Sequence, residues 1–255
     1  MTANTGGGRS GIDANTVLAS IHTFDVDAGC DSTTFQPCSD IALSNLKIYM
    51  DAFRYIYTLN AGIPANAAVA TGRYPEDVYE GGNVSPHSLH LFESHMILQP
   101  WYLTTFAAAE QLYDALIVWN NQGFLTVTYT SLGFFQQFDT SLTTGTYDAS
   151  SSTFTSLTSA IKTFADGIVA TGAKYTPSGG ELSEEYSRDN GTPVSAIDLT
   201  WSYASALTVF AARAGQTSAS WGAQGLSVSS ACSTSSAPTV SVEFNVNATT
   251  VLGGA

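Results

Sequence analysis

Basic side chains are scarce in this sequence. Only 8 of the 255 residues are lysine or arginine, against 21 aspartates and glutamates, and the formal net charge is −13 at pH 7. Charged residues of both signs make up 11% of the chain, well below the roughly one quarter that is usual in globular proteins. An acidic field repels phosphate backbones and anionic lipids, so nucleic acids and membranes are not expected partners. A neutral substrate such as a sugar is compatible with it.

Long apolar runs are also missing. No stretch approaches the roughly 20 apolar residues that a membrane-spanning helix requires. The first ten residues, MTANTGGGRS, have neither the basic start nor the apolar stretch of a secretory signal peptide, so the chain as written is not expected to be exported. Its 255 residues suffice for one large domain or two small ones.

Cysteine is rare, and its count of three is odd. Cys30 and Cys38 bracket a short loop, and a disulfide between them would contribute about 2–3 kcal/mol by loop-entropy reasoning. Two free buried thiols are the alternative. Cys232 is left without a partner, which would be unusual in a secreted protein.

The spacing of apolar residues predicts about six helices. They cover residues 11–24, 39–59, 101–121, 129–138, 153–170 and 195–214. The second opens with a Ser-Asp capping signal, and glycines follow the third and the last. The helices at 101–121 and 195–214 are apolar on more than one face, so each requires neighbours on both sides. A plain bundle or a layered ring of inner and outer helices would provide them.

The composition changes after residue 215, where serine, threonine, alanine and glycine dominate. Apolar and polar residues then alternate over 240–246, which predicts one β-strand. A single strand is not stable alone. We therefore expect a helical domain over residues 1–232, followed by a linker and a short β-strand tail over 233–255.

Two separated segments carry the side chains of chemical interest. Residues 73–83 read RYPEDVYEGGN, and PWYL follows at 100–103 after an interruption of sixteen residues. Joined, they resemble a substrate-loop signature of the fungal glucoamylases, starch-degrading enzymes of glycoside hydrolase family fifteen. The resemblance covers most of the chain, through segments such as IDANTVLASIHTFD (12–25) and AAAEQLYDAL (107–116).

The resemblance implies roles for residues of the first region. Arg73 matches an arginine that holds sugar hydroxyls, for which its multidentate fork is suited. Asp77 would pair with Arg73, and Tyr79 and Trp101 would form an aromatic wall. Without the resemblance, Arg73 and Asp77 would be interpreted as a surface ion pair, and Trp101 as a core residue at the start of a helix.

A second region of resemblance precedes and includes the last helix. GGELSEEY (179–186) and SAIDLTWSYA (195–204) are similar to the family's base loop and the helix behind it. Glu184 falls on the general base, Ser195 on a hydroxyl that hydrogen-bonds this base, and Trp201 on a ring beside the glucose subsite. By spacing alone, adjacent glutamates in a loop would be solvated surface.

The resemblance also implies a fold and a reaction. The fold is all-α, a partial (α/α)6 toroid of which this chain would supply about half, with a short β-strand tail that is the first strand of a starch-binding module. The reaction is inverting hydrolysis of α-1,4 and α-1,6 bonds at the non-reducing ends of starch and malto-oligosaccharides. It is extracellular and uses no cofactor and no metal.

The resemblance covers only the second half of the family's catalytic domain. The general acid, in a Trp-Glu-Glu segment, and the partner of Cys232 belong to an N-terminal half that nothing in these residues resembles. We therefore expect an inactive fragment, with apolar faces of the helices 101–121 and 195–214 exposed to water. A non-catalytic carbohydrate-binding remnant or pseudogene product is the alternative.

The interruption, residues 84–99, holds three of the four histidines. His87, His90 and His95, with Glu93 between them, would allow a zinc site. The family has no residues here, and the two ends of the stretch can be encoded by nucleotides that resemble splice donor and acceptor sites. We therefore favour a translated intron over a metal site.

Overall fold

Six α-helices form the framework of the part of the chain that the structure describes, as the apolar spacing predicts. The computed structural model describes residues 2–79 and 98–217. Its helices are α1 (Asn15–His22), α2 (Asp40–Arg54), α3 (Tyr102–Gln122), α4 (Leu132–Phe135), α5 (Ser152–Tyr175) and α6 (Thr200–Arg213). Helix α6 begins five residues later than predicted, because Ser195 and Asp198 have the positive φ angles of 67° and 58°, which an α-helix cannot contain.

The helix ends follow the local sequence signals. Ser39 caps α2, since its hydroxyl accepts the backbone N–H of Ala42 at 3.3 Å. Gly123 ends α3 in the left-handed conformation with φ 77°, which glycine adopts without steric cost. These capping predictions are confirmed.

Two small antiparallel sheets, which the sequence did not predict, connect the helices. Strand β1 (Phe124–Val127) pairs with β2 (Gly145–Asp148), and β3 (Glu185–Tyr186) pairs with β4 (Pro193–Val194). Strands of four and two residues are too short to show a clear alternation of apolar and polar residues. The second sheet lies in the loop between α5 and α6.

Helix α3 is the centre of the core. It packs against α1, α5 and α6, and 16 of its 21 residues are buried. The expectation that this helix exposes an apolar face is therefore wrong, because its neighbours within the chain already cover it. For α6 the expectation is confirmed: Leu207 is 70% exposed and Phe210 50% exposed.

A disulfide joins Cys30 and Cys38, which confirms that pairing over two free thiols. The interrupting stretch is described only at its end, where Leu98 is fully buried and the Gln99 carbonyl accepts the Tyr57 hydroxyl at 2.9 Å. The three histidines of that stretch, Cys232 and the strand predicted at 240–246 lie outside the described residues.

Within 2–79 and 98–217, no helix is long and apolar enough to cross a bilayer. The same residues contain no group of three or more histidine, cysteine, aspartate or glutamate side chains that could hold a metal ion.

Candidate active site

Glu184 lies in the loop between α5 and α6, and two hydroxyl groups hold its carboxylate. The loop is fixed beside Glu184 because its backbone N–H donates to the Ala196 carbonyl at 2.8 Å. The Tyr79 hydroxyl donates to Oε2 of Glu184 at 3.2 Å, and the Ser195 hydroxyl donates to the same oxygen. Both contacts orient the carboxylate of a partly exposed side chain. The positive φ of Ser195 is part of the turn that brings its hydroxyl there.

Arg73 and Asp77 form a two-pronged ion pair beside this carboxylate. Nε and Nη2 of Arg73 donate to the two Asp77 oxygens, each at 2.6 Å. Asp77 is buried, with its side chain 1% exposed, while Arg73 remains 32% exposed. The interpretation as a simple surface pair is therefore wrong, because one partner is desolvated and fixes the orientation of the other.

An aromatic wall surrounds the Arg73 guanidinium. Its central carbon lies 4.6 Å from the Tyr79 ring centroid and 4.7 Å from that of Trp101, and the two rings lie 5.8 Å apart. Trp101 is only 3% exposed. It is thus a core residue at the start of α3, as its sequence position suggests, and also a member of this cluster. Tyr79 connects the wall to Glu184 through its hydroxyl.

Trp201 lies on the first turn of α6 and is 50% exposed. Its helix is anchored to the base loop, because the hydroxyl of the next residue, Ser202, donates to the Ser183 carbonyl at 2.8 Å. The structure therefore assembles Arg73, Asp77, Tyr79, Trp101, Glu184 and Ser195 through direct contacts. Trp201 is tied to them through its helix.

Glu185 is the residue of this region that the sequence analysis missed. Its side chain is fully buried, although adjacent glutamates in a loop would normally be solvated. Burial raises the pKa of Glu185 to about 8, and the negative charges of Glu184 and Asp77 add to this effect. The sequence feature that could have indicated this burial is the short LSEEY segment, whose last two residues form a buried strand.

The arrangement combines groups suited to a polyhydroxylated substrate. Glu184 can accept a proton, and the hydroxyls that bond its Oε2 hold it in one orientation. The exposed part of the guanidinium can donate to neighbouring hydroxyls, and flat aromatic rings can pack against a sugar face. No cofactor or metal is needed for any of these contacts.

Comparisons with known proteins identify the family of the chain. The family model described as "Glycosyl hydrolases family 15" matches residues 1–211. The chain is 58% identical to Glucoamylase-1 of Schizophyllum commune, over 99% of this chain and 42% of that protein. It is 45% identical to Glucoamylase P of Amorphotheca resinae, over 98% of this chain and 41% of that protein.

Solved structures give the same assignment for the fold. The glycoside hydrolase family 15 glucoamylase of Hypocrea jecorina matches with a TM-score of 0.75 and 56% identity, over 84% of this chain and 33% of that one. The chain therefore spans about two fifths of these curated relatives and a third of this solved neighbour. Its helices are part of an (α/α)6 toroid. The chain belongs to glycosyl hydrolase family 15, among the fungal glucoamylases.

Proposed function

We propose that this chain supplies the base side of a glucoamylase active site. In this proposal Glu184 removes a proton from a water molecule that attacks the anomeric carbon at a non-reducing end of starch or a malto-oligosaccharide. Hydrolysis of the α-1,4 or α-1,6 bond then proceeds with inversion, outside the cell. The carboxylate of Glu184, which accepts two hydroxyl donors beside the Arg73 guanidinium, is the observation that supports this role most directly.

Arg73, Tyr79 and Trp101 would bind the glucose unit at the cleavage point. Asp77 keeps the guanidinium directed along one axis through its two hydrogen bonds of 2.6 Å. Ser195 would keep the base carboxylate in place through its hydrogen bond. Trp201, half exposed on α6, would add a second ring at the edge of the sugar site.

Inverting hydrolysis also requires a general acid, with the two carboxyl groups roughly 6.5–9.5 Å apart. Two carboxyl groups of this site, those of Asp77 and Glu185, do not suit this task. Asp77 is buried and pairs with Arg73 through both oxygens, and Glu185 is fully buried. A buried carboxyl cannot deliver a proton to the oxygen of a substrate in the cleft. We therefore propose that residues 1–255 alone bind sugar but do not hydrolyse it.

Two functional states follow from this proposal. Hydrolysis would require a general acid from a family N-terminal half, which could be supplied as a separate polypeptide. Without it, the chain would act as a carbohydrate-binding remnant, because the sugar-facing residues are assembled from its own loops.

The test measures glucose release from maltose and soluble starch. We expect none from the 255-residue chain alone, and release once the N-terminal catalytic half of a close relative is added. Glu184→Gln should then lower the rate by at least about 100-fold. Glu181→Gln changes an exposed carboxylate of the same loop and should leave the rate close to that of the unchanged chain.

Two results would contradict the proposal. Glucose release by the chain alone that Glu184→Gln abolishes would show that the acid is already present. Release by the complemented enzyme that Glu184→Gln does not affect would remove Glu184 from the role of base.

A further inference from the structure

Glu185 occupies an unusual position for a glutamate. Its backbone lies between two strands, since it pairs with Val194 in the second sheet and forms an antiparallel bridge with Trp101. The neighbouring Tyr186 N–H donates to the Pro100 carbonyl at 3.0 Å, which holds the segment against the start of α3. The side chain of Glu185 is fully buried as a result.

The carboxyl group has few groups that could stabilise a negative charge. Both of its oxygens are buried and make no hydrogen bond of 3.5 Å or less. The indole N–H of Trp101, across the bridge, is also buried without such a bond; its attraction for the carboxylate lowers the pKa of Glu185, but by less than burial raises it. An ionised carboxylate with no hydrogen-bond partner in a protein interior costs several kcal/mol, and it takes up a proton instead.

The surrounding charges act in the same direction. Glu184 on the same loop and Asp77 on the facing loop are anions, and the Tyr79 phenol also faces this region. Arg73 is the cation that faces Glu185, but its guanidinium already donates two hydrogen bonds to Asp77. A third carboxylate would therefore be left without a matching positive charge.

We propose that Glu185 is an un-ionised carboxylic acid at neutral pH and acts as a positioning residue behind the sugar-binding wall. Its proton leaves Glu184 as the one anion of the pair, as a general base requires. It also leaves Arg73 bound to Asp77 instead of drawn back toward the interior. This second statement rests on the function proposed above, whereas the protonation itself does not.

The structure also predicts what happens when the proton is lost. A negative charge on Glu185 would compete with Asp77 for the guanidinium and would repel the charge on Glu184. The pKa of about 8, raised mainly by burial, places this change in mildly alkaline solution. The sugar site would then lose its arrangement at a pH at which an exposed glutamate shows no titration.

Infrared difference spectroscopy tests the protonation directly, with the full chain and no substrate. At pH 6.5 the spectrum of the unchanged chain minus that of Glu185→Gln should show the carbonyl band of one un-ionised carboxyl group, and this difference band should disappear above pH 9. Asp114, whose pKa is also raised by burial, contributes equally to both spectra and cancels. Glu181→Gln should retain the band, and the absence of the difference band at pH 6.5 would overturn the proposal.

The pH dependence of the thermal stability provides a second test, and the direction of the expected change is fixed by the raised pKa. The pKa of Glu185 is about 4.3 when unfolded and about 8 when folded, so the folded chain retains a proton that the unfolded chain releases between these values. This contribution to stability is complete below pH 4 and is lost as the pH rises to about 8. The Tm of Glu185→Gln minus that of the unchanged chain should therefore increase from pH 5 to pH 8, whereas the same difference for Glu181→Gln should stay flat.

The unchanged chain alone provides a measurement if Glu185→Gln does not fold. With 13C-labelled glutamate, the carboxyl carbon of Glu185, assigned through its backbone, should titrate near pH 8. Titration below pH 5 would refute the proposal. None of these readings requires hydrolysis, so a failure of the glucose-release test and a failure of this one are distinct results.

Discussion

The buried ion pair beside the base offers a quantitative test of how the site is held together. Asp77 is 1% exposed and accepts three hydrogen bonds, two from Arg73 at 2.6 Å and one from the Tyr79 backbone N–H at 3.1 Å. Asp77→Ala removes all three. Hydrogen bonds to charged groups contribute about 1.5–3 kcal/mol each, and removing one partner of a fully buried pair costs about 3–5 kcal/mol.

The expected loss for Asp77→Ala is smaller than that upper range. Arg73 is 32% exposed, so its guanidinium can regain water when its partner is removed. We therefore expect a decrease of about 2–3 kcal/mol in the free energy of unfolding, because full burial of both partners is required for the larger cost. For a domain of this size, Tm should fall by roughly 4–12 °C.

Urea unfolding monitored by circular dichroism measures this loss. Asp51→Ala is the matched control, because Asp51 also pairs with an arginine but is 32% exposed, and Arg54 keeps three backbone carbonyl partners. That control should lose less than about 1 kcal/mol. An Asp77→Ala loss no greater than that of Asp51→Ala would refute the reasoning.

Two further predictions concern α3 and the helix packed against it. Gly172→Ala should lower the free energy of unfolding, measured by urea titration, by about 1–2 kcal/mol. A Cβ at this position would lie 2.4 Å from a Phe106 ring carbon, and the cost of this overpacking exceeds the stability that alanine usually adds to a helix relative to glycine. Gly167→Ala, in the same helix, should cost less because its Cβ would lie 3.1 Å from the nearest atom, and an equal loss would contradict the packing argument. Burial raises the pKa of Asp114 well above its usual value, and the charge of Glu110 raises it further. The contribution of this carboxyl group to the free energy of unfolding is therefore fully present below pH 4 and decreases as the pH rises. Asp114→Asn should therefore raise Tm more at pH 7 than at pH 4, and an equal change at both values would show that Asp114 is ionised when folded.

The chemistry of the site could be predicted from short segments. The resemblance of residues 73–83, 100–103 and 179–204 to the glucoamylases named six residues that the structure brings into contact, including Glu184 and Ser195. Tyr79 and Glu184, which share a hydrogen bond, are 105 residues apart in the chain. Their meeting depends on the start of α3, because Trp101, the residue before this helix, pairs with the base loop.

The approximate positions of the helices, and the ends at Ser39 and Gly123, were determined by the sequence itself, because apolar spacing and capping residues act within a few residues of each other. Burial was decided by the tertiary structure. Helix α3 is covered all round because α1, α5 and α6 pack against it, and no local pattern shows which neighbours a helix obtains. The same reason separates Glu184 from Glu185. They are identical and adjacent in sequence, but the strand pairing of the folded loop leaves the Glu184 side chain partly exposed and buries that of Glu185.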